Sequence, residues 1–121
     1  MNQFNFIGRA VSAPRYFTNK DGSQTALLTL AIPRDYKDAD GNAKSDFVSL
    51  QGYIPADKAN TAHKYSYVRK GMLLAISGSV RSYVSEHDGN KTYGTSFSIG
   101  NINFLESKAV VEARENAAVK A

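Results

Sequence analysis

The chain has 121 residues, 15 Lys+Arg against 11 Asp+Glu and a net charge of +4, a length that suits one domain and argues against two. At 42% hydrophobic and 21% charged residues it reads as globular, and its longest apolar run, residues 72–76, is far too short to span a bilayer. The absence of cysteine excludes disulfides, thiolate metal sites and cysteine nucleophiles.

The first eleven residues have no basic segment followed by an apolar one, which predicts a cytoplasmic rather than a secreted protein. They read as a strand over about residues 3–11. Asn19, Lys20, Asp21 and Gly22 form a hairpin-tip signal, because Gly and Asn tolerate positive φ. A strand over residues 24–32 carries Leu28, Leu30 and Ile32 on one parity and is expected to end at Pro33, which cannot donate to a ladder. A polar loop over residues 37–45 leads into a strand over 46–53. There Val48, Leu50 and Gly52 alternate with Phe47, Ser49, Gln51 and Tyr53.

Residues 56–68 are predicted as the one internal helix, with Ala59, Ala62, His63, Ser66 and Tyr67 on its buried stripe and Arg69, Lys70 and Gly71 as a basic last turn and stop. Alternation returns over residues 72–84, with Met72, Leu74, Ile76, Gly78, Val80 and Val84 facing one way and Ser77, Ser79, Arg81 and Tyr83 the other. Asp88, Gly89 and Asn90 mark a second hairpin tip before a last strand over about 92–105. Three strands, a helix and two strands is the order of an all-β, five-stranded Greek-key OB-fold barrel with one helix between strands 3 and 4. Residues 1–105 would form that barrel, and residues 106–121 a short tail, disordered or weakly helical.

Charge is unevenly placed. Residues 106–121 are neutral in sum, whereas residues 48–85 carry Lys58, Lys64, Arg69, Lys70 and Arg81 against Asp57 alone. Phe47, Tyr53 and Tyr83 fall on predicted exposed strand faces, and Tyr36 lies beside Arg34 and Lys37. Rings interleaved with cations suit single-stranded nucleic acid, because every base offers a π-face and every nucleotide a phosphate. The same rings also suit cross-strand pairing or an oligomer interface.

Catalysis finds no support. His63 and His87 are the only histidines, and neither has a nucleophile or carboxylate at a suggestive spacing. Asp38, Asp40 and Asn42 imitate a calcium loop, but Ala43 and Ser49 stand where its glycine and glutamate belong. No catalytic residue, metal site or cofactor is therefore expected.

The motifs, taken in order, resemble the bacterial and phage single-stranded DNA-binding protein family. The likeness runs through Asn5-Phe6-Ile7-Gly8-Arg9, Ala13-Pro14, Gly22, Leu28-Thr29-Leu30-Ala31-Ile32 with Arg34, and Asp46-Phe47. It continues through Tyr67-Val68-Arg69-Lys70-Gly71, Gly78-Ser79-Val80-Arg81 and the hairpin reaching Tyr93. The resemblance implies base stacking at Tyr36, Phe47 and Tyr53. Its fourth stacking position falls on Ser85, for which Tyr83, two residues earlier on the same face, substitutes. It implies phosphate contacts at Lys37, Lys70 and Arg81, with Arg34 and Arg69 adjacent, and assembly as a homo-oligomer, dimer or tetramer. Family members usually end in an acidic, phenylalanine-terminated tip that recruits partners. This chain ends Asn116-Ala117-Ala118-Val119-Lys120-Ala121, so such recruitment is not expected.

The resulting expectation is a non-enzymatic protein that binds single-stranded DNA without sequence preference during replication or recombination. The alternative keeps the barrel but makes it a protein-interaction subunit of a replisome or primosome-type assembly.

Overall fold

The computed structural model describes residues 1–59 and 63–120. Its strands are β1 (Phe4–Ala10), β2 (Arg15–Thr18), β3 (Gln24–Lys37), β4 (Ala43–Ile54), β5 (Leu73–His87) and β6 (Asn90–Phe104), followed by one α-helix, α1 (Lys108–Lys120). β1 pairs with β5, β5 with β6, β6 with β4 and β4 with β3, and β3 returns to β1. Five strands thus close into a barrel, with β2 added beside β1 along the same edge of β3. All these pairings are antiparallel except β4 with β6, a short parallel contact at Leu50↔Phe97 and Gln51↔Ser98.

Closure separates inside from outside. Ala26, Leu28 and Leu30 of β3, Leu50 and Ile54 of β4, Leu74 and Ile76 of β5, and Ile99 and Ile102 of β6 fill the interior. Leu28, Leu30, Leu50 and Gly52 are buried and Ile32 and Val48 half-buried, facing inward as alternation predicts. Near one end Phe4, Phe6 and Phe97 meet with ring centroids 4.8–5.5 Å apart, two of the three contacts edge-on. At the seam, β1 approaches β3 so closely that a side chain at Gly8 would run into the Ala31 carbonyl.

Two ribbons leave the same end of the barrel. β3 has no β1 partner after Ala31 and β4 no β6 partner before Leu50, so residues 32–37 and 43–49 pair only with each other. Likewise β5 beyond Gly78 and β6 before Phe97 form a two-stranded arm. Asp88 (φ 53°) and Gly89 (φ 82°) turn its tip as predicted, and Gly22 (φ 89°) serves the β2–β3 hairpin. Val84, expected on the apolar parity, lies on this arm and is exposed, because no core reaches that far.

Three expectations need correction. β3 does not stop at Pro33 but continues to Lys37 through an irregularity between Pro33 and Lys37. The missing proline N–H is tolerated because β3 there has a partner along one edge only. The continuous helix over 56–68 is absent. Two 3₁₀ turns, Ala56–Lys58 and Lys64–Tyr67, stand near its ends, His63 between them is extended (φ −141°, ψ 172°), and Asn60, Thr61 and Ala62 lie outside the described residues. The buried pair is Tyr65 and Val68, three apart as a 3₁₀ turn eclipses them, and not the 3.6-period stripe of His63, Ser66 and Tyr67.

The tail forms α1 and packs on the barrel end opposite the ribbons. Val111 is buried, and Glu106 gathers the Leu73 N–H (3.0 Å), Arg9 (3.4 Å) and a two-pronged contact from Arg114. Arg114 above all, then the Leu73 N–H, holds the Glu106 carboxyl below its ordinary value of 4.5. A carboxyl depressed on folding contributes fully above that ordinary value and loses its contribution as pH falls through the lower, folded one. Acidification below about pH 4.5 should therefore loosen α1. Hydrogen exchange across residues 108–115 should rise as pH drops once the intrinsic acid dependence is removed, and Glu106→Gln should show the loosened level already at pH 7. Equal protection in the variant and the parent would refute this attachment.

Candidate nucleic-acid interface

With the interior filled by side chains, binding groups must stand on the outer surface. Cross-strand register identifies which ones share it. Phe47 faces Ala31, Ser49 faces Thr29, Gln51 faces Leu27 and Tyr53 faces Thr25 across β4 and β3. Toward the other side Gln51 adjoins Ser98, Ser98 pairs with Ser79, Ser96 with Arg81 and Gly94 with Tyr83. Phe47, Tyr53, Arg81 and Tyr83 therefore lie on one continuous outer face. Phe47 and Tyr53 are 70% and 64% exposed and about 20 Å apart along their strand, at ~3.4 Å per residue. Thr25, Gln51, Gly52, Tyr53, Arg81, Ser96 and Ser98 line an open groove between the rings, floored by short polar side chains.

Tyr83 owes its position to a gap opposite it. A Cβ at Gly94 would overlap its ring, so the glycine lets the ring lie across β6 while half of it stays exposed. Tyr93 and Val84 pair on the reverse of the arm. Ser85 pairs with Thr92 further out, and Tyr83 is the aromatic that occupies this part of the face.

Tyr36 is not brought to Phe47. Beyond the β3 irregularity it lines a hollow with Pro33, Arg34, Asp35 and Asp46. Asp46 pairs with Ile32, on the parity opposite to Phe47. Tyr36 is 66% exposed there and shares the hollow with the Arg34–Asp46 pair.

The five predicted phosphate contacts divide in two. Arg34 grips Asp46 through Nε and Nη2 at 2.8–3.1 Å, which raises the guanidinium pKa and lowers that of the carboxyl, mainly through these hydrogen bonds. Arg69 reaches Glu115 of α1 at 3.2 Å. Lys37, Lys70 and Arg81 have no ion-pair partner among the described residues. Arg81 is beside the groove, Lys37 at the ribbon end and Lys70 at the foot of the barrel near α1.

Arg15 and Phe17 of β2 escaped the sequence reading. Phe17 faces Thr25 and Arg15 faces Leu27, so both belong to the same outer face. The tip signal over residues 19–22 would by itself set Thr18 against Ser23 and Phe17 against Gln24; the observed register, Thr18 against Gln24, is shifted by one, so spacing alone did not place Phe17 on this face.

The model of the single-strand binding protein family matches residues 1–105. The chain belongs to that family. It is 34% identical over 110 residues to single-stranded DNA-binding protein 1 of Streptococcus pyogenes serotype M6, covering 91% of this chain and 81% of that one. Single-stranded DNA-binding protein 1 of Staphylococcus aureus strain COL is 29% identical over 110 residues, and 63% of its length is spanned. Among solved structures, the Plasmodium falciparum SSB complex with ssDNA superposes with a TM-score of 0.66 at 20% identity, covering 88% of this chain and 96% of that one. A deletion mutant of the single-stranded DNA binding protein from Thermus aquaticus gives 0.65 at 20% identity, covering 90% of this chain and 52% of that one. These two similarities establish the barrel fold.

If the ring of Tyr83 depends on the space above Gly94, Gly94→Val should displace it without unfolding the barrel. Oligo-dT affinity should then fall about as far as in Tyr83→Ala, by ~1–3 kcal/mol. A Gly94→Val protein that binds like the parent would show that Tyr83 contributes nothing from this position.

Proposed function

We propose that this member of the single-strand binding family coats single-stranded DNA without regard to sequence, and protects it during replication, recombination and repair in the bacterial cytoplasm. It acts without catalysis. The observation that carries this reading is the single outer face holding Phe47, Tyr53 and Tyr83 with Arg81, spaced by Ser, Thr and Gly. Bases stack on the three rings, and the small side chains between them leave room for sugar and phosphate. Tyr36 stacks a base where the strand passes the Arg34–Asp46 pair on the β3–β4 ribbon.

Lys37, Lys70 and Arg81 neutralise phosphates directly. Arg34 and Arg69 do so after exchanging a carboxylate for a phosphate, an exchange that makes them weaker contributors. Residues 1–105 form the binding domain, whose strand order follows the Greek-key arrangement of the OB barrel. Residues 106–121 are an appendage to it.

A homo-oligomer forms through a different part of the surface. Ile7, 59% exposed, stands in register with Ala75, which pairs with Asn103, on the outside of β1, β5 and β6. An exposed branched side chain among small and amide groups suits a second copy of the same sheet. Light scattering should give a dimer or tetramer, and Ile7→Asp should lower the mass. A monomeric parent protein would remove the oligomer.

Titration of fluorescent oligo-dT at several salt concentrations tests the main reading. The logarithm of affinity should fall against log salt with a slope of about −0.7 per neutralised phosphate. Phe47→Ala and Tyr53→Ala should each weaken binding by ~1–3 kcal/mol. No binding, or binding indifferent to salt, would overturn the proposal, and unchanged affinity in both variants would assign the rings to a protein interface.

A further inference from the structure

We infer that Phe17 and Arg15 on β2 form an additional nucleotide subsite, with a base stacked on the Phe17 ring and a phosphate held by Arg15. The inference rests on the binding function proposed above and extends its platform by one strand.

Three observations support it. The first is register: Phe17, Thr25 and Tyr53 form one row across β2, β3 and β4. At ~4.8 Å per strand the two rings stand roughly 10 Å apart on the same face, with only a threonine between them. A strand leaving Tyr53 thus meets a second ring without changing sides.

The second is exposure and charge. Phe17 is 52% exposed although it is a large apolar side chain on a short strand with no partner beyond β3. Arg15 lies on the same face, about 6.7 Å back along β2, near the reach of one nucleotide step. It has no ion-pair partner among the described residues, so no carboxylate must be displaced before a phosphate binds. Ring and cation two residues apart repeat the spacing of Arg81 and Tyr83.

The third is rigidity. The Asn19 side chain donates to Ser23 Oγ (3.1 Å) and Thr25 Oγ1 (3.3 Å), and its backbone N–H donates to the Ser23 carbonyl (2.7 Å). Asp21 accepts from the Ser23 hydroxyl (2.6 Å) and N–H (3.0 Å), and these bonds hold its carboxyl below the usual carboxylate range. The β2–β3 hairpin is therefore fixed before any ligand arrives, and little ordering cost attaches to using its ring.

Because the chain contains no tryptophan, Phe17→Trp supplies a single reporter at the subsite. Adding oligo-dT should quench its emission, saturating at the same stoichiometry as a fluorescent oligo-dT signal. Phe17→Ala should weaken oligo-dT binding about 5- to 150-fold. Arg15→Gln should reduce the magnitude of the salt slope by about 0.7. Unchanged tryptophan emission together with unaltered affinity in Phe17→Ala would overturn the subsite, as would a Phe17→Ala protein that loses oligo-dT affinity only because light scattering shows its assembly has changed. Failure of the underlying function looks different, since the parent protein would then ignore oligo-dT altogether.

Discussion

Closure of the sheet where β1 meets β3 is the constraint on which the rest of the molecule depends. A five-strand barrel is too narrow to hold anything except its own side chains, and here leucine, isoleucine and phenylalanine fill it. No interior remains for a ligand. Every outward position is consequently available for function, and the strand pleat decides which positions those are. Gly8 permits the closure by letting two backbones approach where a side chain would collide with the Ala31 carbonyl. One small residue at the seam therefore underlies both the packed core and the exposed platform.

The same geometry explains what was legible in the sequence. Period-2 alternation reports the inside and outside of a strand directly, so Leu28, Leu30, Leu50, Leu74 and Ile76 were identified as core, and Phe47, Tyr53 and Tyr83 as exposed, from spacing alone. Hairpin tips were legible because glycine at positive φ leaves a compositional trace. Features that depend on neighbouring strands were not. Pro33 reads as a strand end unless it is known that β1 has already left that edge of β3. Tyr36 reads as one of four stacking rings, but the register is lost between Pro33 and Lys37 and Tyr36 sits in a hollow with Arg34 and Asp46 instead of lining the groove beside Tyr53.

The segment between β4 and β5 failed for a related reason. Ala59, His63, Ser66 and Tyr67 satisfy a 3.6-residue period, yet the chain here needs short turns that place Tyr65 over Gly52 and Val68 against the core. A period of three and a period of 3.6 cannot be separated over so few residues. Packing chose between them.

Charge shows most clearly why composition had to be read through structure. Residues 106–121 sum to zero, yet their carboxylates are engaged: Glu106 takes up Arg9 of the barrel and Arg114 of α1, and Glu115 takes up Arg69 of the barrel. Arg34 is similarly engaged with Asp46, where it braces the ribbon that carries Phe47. A cation already paired with a carboxylate must give up that contact before it meets a phosphate, so the two exposed pairs set a threshold instead of adding directly to affinity. Arg15, Lys37, Lys70 and Arg81, which have no ion-pair partner among the described residues, have no such requirement. Two of them stand two residues from a ring on the outer face, Arg15 from Phe17 and Arg81 from Tyr83. The binding potential of this small basic barrel is therefore set less by its net +4 than by which cations the fold has left uncommitted beside its aromatic face.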